Sequence, residues 1–568
     1  MDAVWEQCGR QYVDEVTSFS PVSATWLGDH RYDGQLDEVS GEARGRKAAF
    51  CRTYLSRLGR IPRGGLSRPN QVDAAMLEHR LRAELWHLEE LQEWAWNPTF
   101  YTGLAGSAVY TLMAREFAPL PERLRSAASR MEQMPRLMRQ VRETLEPSRV
   151  PRVHAETAIR QNAGIRSILD NMVLPHLGVL PPADRARVAA AAETALAAVQ
   201  EQQRWLEGHL RPQAAGDFRL GAERYDRKLA FALHGGPSRP EVRRRAEDEL
   251  KRVREEMYEI AAGLGGPASA GGTGGGDCEP RGQAAIRAGL ERACRELPER
   301  DRIVEAARTA LSRATAFVRE ADLVTMPADP LEVVVMPEFR RGMSLAYCDS
   351  PGPLDVGQRT FYAIAPPPSD WTEEQVRSFL REYNLRSLQN LTVHEAMPGH
   401  FLQLARSNRY ASALRAMLGS GVFIEGWAVY AEQMMVDEGF LGGDPLMRLV
   451  VLKWRLRGIV NAILDQAVHV EGMTEAQAMG LMTGEAFQEE REAAAKWVRA
   501  QLTSAQLSTY FVGYLEHAAL RREAETAWGR EFNLKRYHDT VLSFGSPPTA
   551  YVRALALDLP IEAPGAAE

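Results

Sequence analysis

The sequence predicts a mainly α-helical protein built as two lobes around a cleft, on three observations. The first half is rich in Ala, Arg, Glu and Leu, with apolar residues recurring every three or four positions. One short stretch, 331–336 (Leu-Glu-Val-Val-Val-Met), has the length and β-branching of a strand. The chain has 568 residues, more than one hydrophobic core usually holds.

Taken in order, 41–61 and 70–94 carry helical spacing. Trp86, Trp94, Trp96, Phe100 and Tyr101 follow around Asn97-Pro98 and are expected to pack a core. Helices are expected over 121–145, which ends near Glu146-Pro147, over 154–174, and over the Ala-rich 183–209, bounded by Pro181-Pro182 and Pro212. Segment 241–262 pairs acids and bases at i,i+4, the pattern of a solvated face. The run GLGGPASAGGTGGGD, 263–277, cannot hold a helix. It reads as a loop or linker between an N-terminal helical half, 1–262, and a C-terminal half, 278–568. It contains no GxxxxGK[ST] pattern and follows no strand, so it is no phosphate cradle.

Beyond the linker, 283–321 is again helical. The strand at 331–336 and the Gly- and aromatic-containing 340–364 read as a small sheet or hairpin, whose edge could hold an extended peptide. Segment 371–384 leads into an apolar helix opening at 385–393, and 446–470 and 474–500 supply two or three more helices.

The composition is ordinary globular, 45% hydrophobic and 25% charged. A net charge of −6 and a pI near 6.1 give no basic field for nucleic acid and no polybasic membrane anchor. Five scattered cysteines without CxxC spacing read as reduced thiols. The opening MDAVWEQCGRQYVDEV has no apolar signal core, and no stretch reaches about 18 uninterrupted apolar residues. A cytoplasmic chain without membrane partners is the expectation. Nothing in the sequence sets the oligomeric state.

The chemistry concentrates in His394-Glu395-Ala396-Met397-Pro398-Gly399-His400. Two imidazoles can hold a divalent ion, and a carboxylate can take a proton from water. In the zinc-peptidase spacing HExxH, both histidines share a helical face. Here the spacing is i,i+6, about 120° apart and about 9 Å along an ideal helix, too far to share an ion. Pro398 clashes with the carbonyl of His394 and donates no hydrogen bond. Pro398-Gly399 is therefore expected to break the helix between two ligands. A second apolar helix carries Glu425-Gly426-Trp427-Ala428-Val429-Tyr430-Ala431-Glu432. Glu425, 25 residues past His400, is the expected third ligand. Glu432, seven residues on and on the same face, reads as solvated and is the reserve candidate.

These residues carry a resemblance. HEAMPGHFLQ and EGWAVYAE resemble the bacterial "domain of unknown function 885" family, as do Ser20–Ser40 (SPVSATWLGDHRYDGQLDEVS), Arg219–Leu229 (RLGAERYDRKL), YFVGYLEHAALRREAE and FNLKRYHDTVLSFGSPP. That family is similar in fold to the thermostable carboxypeptidase Taq family and more distantly to thimet oligopeptidase and angiotensin-converting enzyme. The resemblance implies a metallopeptidase-like fold and a metal-dependent hydrolase. It also carries Tyr510 (Gln506-x-x-x-Tyr510-x-x-Gly513) and His538 (Tyr537-His538-Asp539) as catalytic donors to an oxyanion, and Arg521 as a substrate contact, although Arg521 could instead pair with Glu525 at i+4. Tyr347 is the other expected substrate contact. Cys348 stands where many members carry a second aromatic, and Ala363-Ile364 where they carry a Val-Asn-like pair, which alters the substrate edge.

The functional expectation is one Zn²⁺ per chain on His394, His400 and Glu425, with Glu395 as general base, cleaving an amide or peptide bond in short peptides. Two alternatives are a tailoring amidase acting on a small metabolite and a non-catalytic helical binding protein.

Overall fold

A computed structural model of the chain describes residues 1–265, 282–336 and 345–561. It is mainly helical, with one small sheet. The expected linker lies outside the described residues from 266 onward, as does 337–344 within the expected sheet segment.

Pro98–Met113, Leu120–Thr144, Arg152–Ile168 and Pro182–Trp205 form a bundle with one core. The Asn97 side chain caps Pro98–Met113 by accepting from the Thr99 amide at 3.1 Å. Leu124, Met131, Met138 and Val141 mark the buried stripe of Leu120–Thr144. Ala191, Ala195 and Ala198 opposite are small enough for close helix approach. Arg130, wholly buried, donates to the carbonyls of Gln35, Ala108 and Pro21 and so ties the N-terminal turns to this bundle. Of the aromatic group, Trp86 and Tyr101 are buried and Trp94 and Trp96 half-buried. Phe100 is 60% exposed, because it faces away from the bundle at the first turn of its helix.

Helix Arg239–Gly263 is less solvated than its charge suggests. Val242, Ala246, Val253, Met257 and Ala261 make a buried stripe against Pro445–Val470, while pairs such as Arg245–Glu241 (2.6 Å) occupy the outer face. The first helices leave the N-terminal bundle. Asp2–Val16 packs beside Ala413–Met417 and Arg68–Trp86 beside Thr549–Ala556, with a buried Arg415–Asp73 ion pair of 2.5 Å between them.

Pro445–Val470 is the central element of the C-terminal half, in contact with Leu385–Glu395, Gly421–Asp437, Glu490–Leu502 and Ser508–Trp528. Gly421–Asp437 and Ser508–Trp528 cross at two glycines: a Cβ at Gly426 would lie 2.4 Å from the Gly513 carbonyl carbon. The sheet has order β1-β3-β2, from β1 (Leu331–Val335), β2 (Ala346–Asp349) and β3 (Thr360–Ile364). β1 runs parallel to β3 and β2 antiparallel to it, so the expected small sheet or hairpin is a mixed three-stranded sheet. The Tyr362 hydroxyl on the central strand meets Thr392 Oγ1 at 3.3 Å, which seats the sheet beside the helix that carries His394.

Candidate metal centre

Leu385–Glu395 begins on an Asn384 cap that accepts from the Arg386 and Ser387 amides, and it ends at the expected break. A second helix, His400–Ser407, follows. Between them the chain tucks under the first helix: the Met397 amide bonds the Thr392 carbonyl at 3.2 Å and the Gly399 amide the Val393 carbonyl at 2.9 Å. The Met397–Pro398 peptide is cis. Gly399 has φ −76°, so it is not needed for a left-handed backbone. It is needed for room, since a Cβ there would sit 2.0 Å from the His394 carbonyl oxygen. The indole of Trp427 donates to the Pro398 carbonyl at 2.9 Å and pins the break to Gly421–Asp437.

This break brings the two imidazoles together, with ring centres 4.7 Å apart and planes at 86°. One oxygen of Glu425, Oε2, lies 3.7 Å from His394 Nε2 and 3.6 Å from His400 Nε2. One donor atom from each residue falls within 4.8 Å of the others. Separations of 3.6–3.7 Å are too long for hydrogen bonds. They approach the roughly 3.4 Å between two ligands of one tetrahedral zinc with ligand bonds of about 2.0–2.2 Å. His400 Nδ1 is buried with no hydrogen-bond partner. A His-His-Glu donor set suits zinc.

Glu432 is where sequence reasoning fell short. It is 4% exposed, not solvated. Its Oε1 accepts from His394 Nδ1 at 2.6 Å and its Oε2 from the Asn390 side-chain Nδ2 at 2.5 Å. A carboxylate only accepts, so Nδ1 carries the proton and Nε2 presents its lone pair toward Glu425 and His400. The available signal was the spacing: Glu425 and Glu432 share one face, and Asn390 lies one turn before His394. Burial works against charge on His394, but Glu425, Glu432 and Glu395 outweigh it and raise its proton affinity well above that of an ordinary imidazole. Burial likewise opposes charge on Glu425, yet His394 and His400 hold it well below the usual carboxylate range. The pocket therefore favours a cation.

Glu395 is 8% exposed and has no hydrogen-bond or ion-pair partner among the described residues. It faces the sheet, where its charge acts on Cys348 and Tyr362. Tyr347, on the outer strand β2, pairs with Ala363 and is half-buried. Tyr510 sits one turn before the Gly513–Gly426 crossing and accepts from Arg499 (3.2 Å) and Gln506 (3.3 Å). His538 is fully buried: its Nδ1 bonds the Leu323 carbonyl at 2.7 Å and its Nε2 the Tyr430 hydroxyl at 2.8 Å, so neither nitrogen faces a substrate. Burial lowers its pKa to about 4. Arg521 is paired with Glu525 at 2.9 Å and lies 3.7 Å from Glu438, so its fork is spent within the fold.

A family model described as "Bacterial protein of unknown function (DUF885)" matches residues 21–555. A solved structure from Shewanella oneidensis, described as a "putative lipoprotein of unknown function", superposes with a TM-score of 0.81 at 33% identity, covering 97% of this chain and 99% of that one. Another, from Colwellia psychrerythraea and also described as a "putative lipoprotein", superposes with a TM-score of 0.79 at 18% identity over 98% of each chain, a likeness of fold. No curated protein matches. With the family pattern spanning nearly its whole length, the chain belongs to the bacterial DUF885 family, whose function is unknown.

Proposed function

We propose that the protein is a zinc-dependent hydrolase that cleaves an amide or peptide bond in short peptides, in a metallopeptidase-like cleft between two helical lobes. The observation that carries this reading is the convergence of His394 Nε2 and His400 Nε2 on one oxygen of Glu425, with the unpartnered carboxylate of Glu395 adjacent in sequence to His394.

His394, His400 and Glu425 would hold the ion, one per chain. When bound, zinc supplies Lewis acidity and lowers the pKa of a coordinated water from 15.7 to about 7. Glu432 keeps His394 in the tautomer with a free Nε2 lone pair, and Asn390 holds Glu432. Glu395 accepts the proton of the attacking water and returns it to the leaving amine nitrogen. Burial keeps bulk water from competing for that carboxylate. Strand β2, with Tyr347, offers an edge along which a peptide backbone can pair.

The test combines metal analysis with turnover on a pool of short peptides. The purified protein should carry about one zinc, and Glu395→Gln should retain it while losing about 10²–10⁴-fold in hydrolysis. Absence of zinc, or near-normal turnover in Glu395→Gln, overturns the assignment. The unpaired Cys8, Cys51, Cys294 and Cys348 support a cytoplasmic location, whereas the descriptions of both solved relatives point to lipoproteins; cell fractionation decides.

A further inference from the structure

The stretch Arg219–Leu229 takes no part in the metal chemistry, yet it places a lysine where the two halves of the sequence meet. In helix Gly221–Ala232, Tyr225 and Leu229 are buried, and Lys228 stands at the edge of that face. Its ammonium donates to Glu93 Oε1 at 2.8 Å and to Ser504 Oγ at 2.9 Å. Glu93 belongs to the turn Glu93–Trp96 that leads into the N-terminal bundle, and Ser504 follows helix Glu490–Leu502 of the C-terminal half. All three line one cavity of about 380 Å³, together with Asn97 and Gln161 from the bundle. Leu502 is the one apolar side chain among the described residues that line it.

The polar groups of this cavity have hydrogen-bonding capacity to spare. Glu93 Oε2 has no partner among the described residues. Burial opposes charge on Glu93, but Lys228 outweighs it and holds the carboxyl below its usual range. An ammonium has three donors, and Lys228 uses two. Ser504 accepts from Lys228, so its own hydrogen is unspent. Asn97 spends its side-chain oxygen on Thr99, and Gln161 accepts from Thr102 at 2.7 Å; neither NH₂ group has an acceptor among the described residues. His154 is an independent pointer. It is 1% exposed, and neither ring nitrogen has a hydrogen-bond partner among the described residues, although buried polar groups normally find one. It lies two turns before Gln161 on the same face of Arg152–Ile168. Burial lowers its pKa to about 4, while Glu93 and the Leu502 backbone, both of the cavity wall, pull the other way.

Glu93 and Lys228 hold opposite charges 2.8 Å apart, each with capacity left. A lone anion would meet Glu93, and a lone cation would meet Lys228. A molecule with both charges on adjacent carbon atoms meets each with its opposite. We propose that this cavity binds a free α-amino acid with a polar side chain, its ammonium on Glu93 and its carboxylate on Lys228 and Ser504. The NH₂ groups of Asn97 and Gln161 suit a side-chain carbonyl. The site shares no residue with the candidate metal centre and does not depend on the hydrolase reading.

The experiment titrates the full-length protein calorimetrically with L-glutamine, with N-acetyl-L-glutamine, which lacks the ammonium, and with L-glutaminamide, which lacks the carboxylate. Glutamine should bind at least about tenfold more tightly than either, the cost of losing one charged hydrogen bond. Glu93→Gln keeps the size and an acceptor for Lys228 but has no charge for the ammonium. In that variant glutamine should lose its advantage over N-acetylglutamine and keep its advantage over glutaminamide, a change of order that mere loosening of the fold does not produce. Ser504→Ala should weaken glutamine by about threefold. His394→Ala should leave glutamine affinity unchanged, which separates this site from capture of an amino acid at the candidate metal centre. No binding of glutamine, equal affinity for the three ligands, an unchanged order in Glu93→Gln, or loss of binding in His394→Ala would each overturn the proposal. Should Glu93→Gln fail to fold, the three ligands on the parent and Ser504→Ala still decide it.

Discussion

At the scale of single residues, His394 is held on both ring nitrogens, with Glu432 on one and Glu425 near the other. Replacing Glu432 by Gln keeps size and an acceptor but removes the charge that fixes the tautomer. Metal affinity should then fall about 10–100-fold, the usual cost of losing such a supporting partner, with the fold retained. Chelator competition measures this, and unchanged affinity would show that Glu432 only fills space. Glu425→Ala should abolish binding outright, since two imidazoles alone leave the ion underligated. The grouping of His394, His400 and Glu425 was legible in the sequence because few residue types bind metal and fewer spacings allow it. Glu432 was legible as a position but not as a role. Whether a carboxylate two turns along a helix meets water or an imidazole depends on which helix packs there. The same reason separates Tyr510 from His538: a pattern marks that a residue is present, while Leu323 and Tyr430, remote in sequence, decide which way His538 points.

Among elements, the interrupted helix matters most. The break at Pro398-Gly399 was readable from proline chemistry, but the requirement on Gly399 was not, because it comes from the close approach of the chain to its own preceding turn. Gly399→Ala should therefore be severe. The new methyl must displace the carbonyls of His394, a proposed ligand, and of Val393 before it. A cost of about 1–3 kcal/mol or more in stability is expected, together with loss of metal. Gly426→Ala should act similarly through the Gly513 backbone. Gly421→Ala is the control: nothing lies within 4 Å of its added carbon, and alanine is the better helix former, so stability should hold or rise by about 0.5–1 kcal/mol. Thermal unfolding of the three variants checks the contrast, and a Gly399→Ala protein as stable and metal-loaded as the Gly421→Ala control would refute this account of the break.

On the scale of the whole molecule, helix content and order were legible from periodicity, because apolar spacing is a local property. The assembly was not. Nothing local announces that Asp73 pairs with Arg415, 342 residues away, or that the first helices leave the N-terminal bundle for the C-terminal half. His30 is another such long-range tie. It lies at the end of the N-terminal turns, bonded through Nδ1 to Asp33 at 3.1 Å and through Nε2 to Asp355 at 3.4 Å, with its ring stacked on Phe117 at 3.8 Å. Asp355 belongs to the loop between β2 and β3, so this contact fastens the N-terminal segment to the sheet beside the candidate metal centre. Burial resists charging His30, but the bonds to Asp33 and Asp355 prevail and raise its pKa to about 9. The folded value lies above the unfolded one of about 6.5, so the folded state binds the extra proton and is stabilised by it. That stabilisation is complete below pH of about 6.5 and is lost as pH rises through about 9. With solvent screening of a partly exposed pair, about 1–2 kcal/mol is expected. His30→Gln retains the hydrogen-bonding size without the charge. Denaturant unfolding at pH 6 should show the parent more stable than His30→Gln by that amount, and the gap should close by about pH 9.5. Asp355→Asn should remove part of the same gap at pH 6, since Asp33 still faces the ring. A difference between parent and His30→Gln that stays constant from pH 6 to 9.5 would show that the imidazole contributes by stacking on Phe117 alone, and that its charge does not hold the N-terminal segment to the sheet.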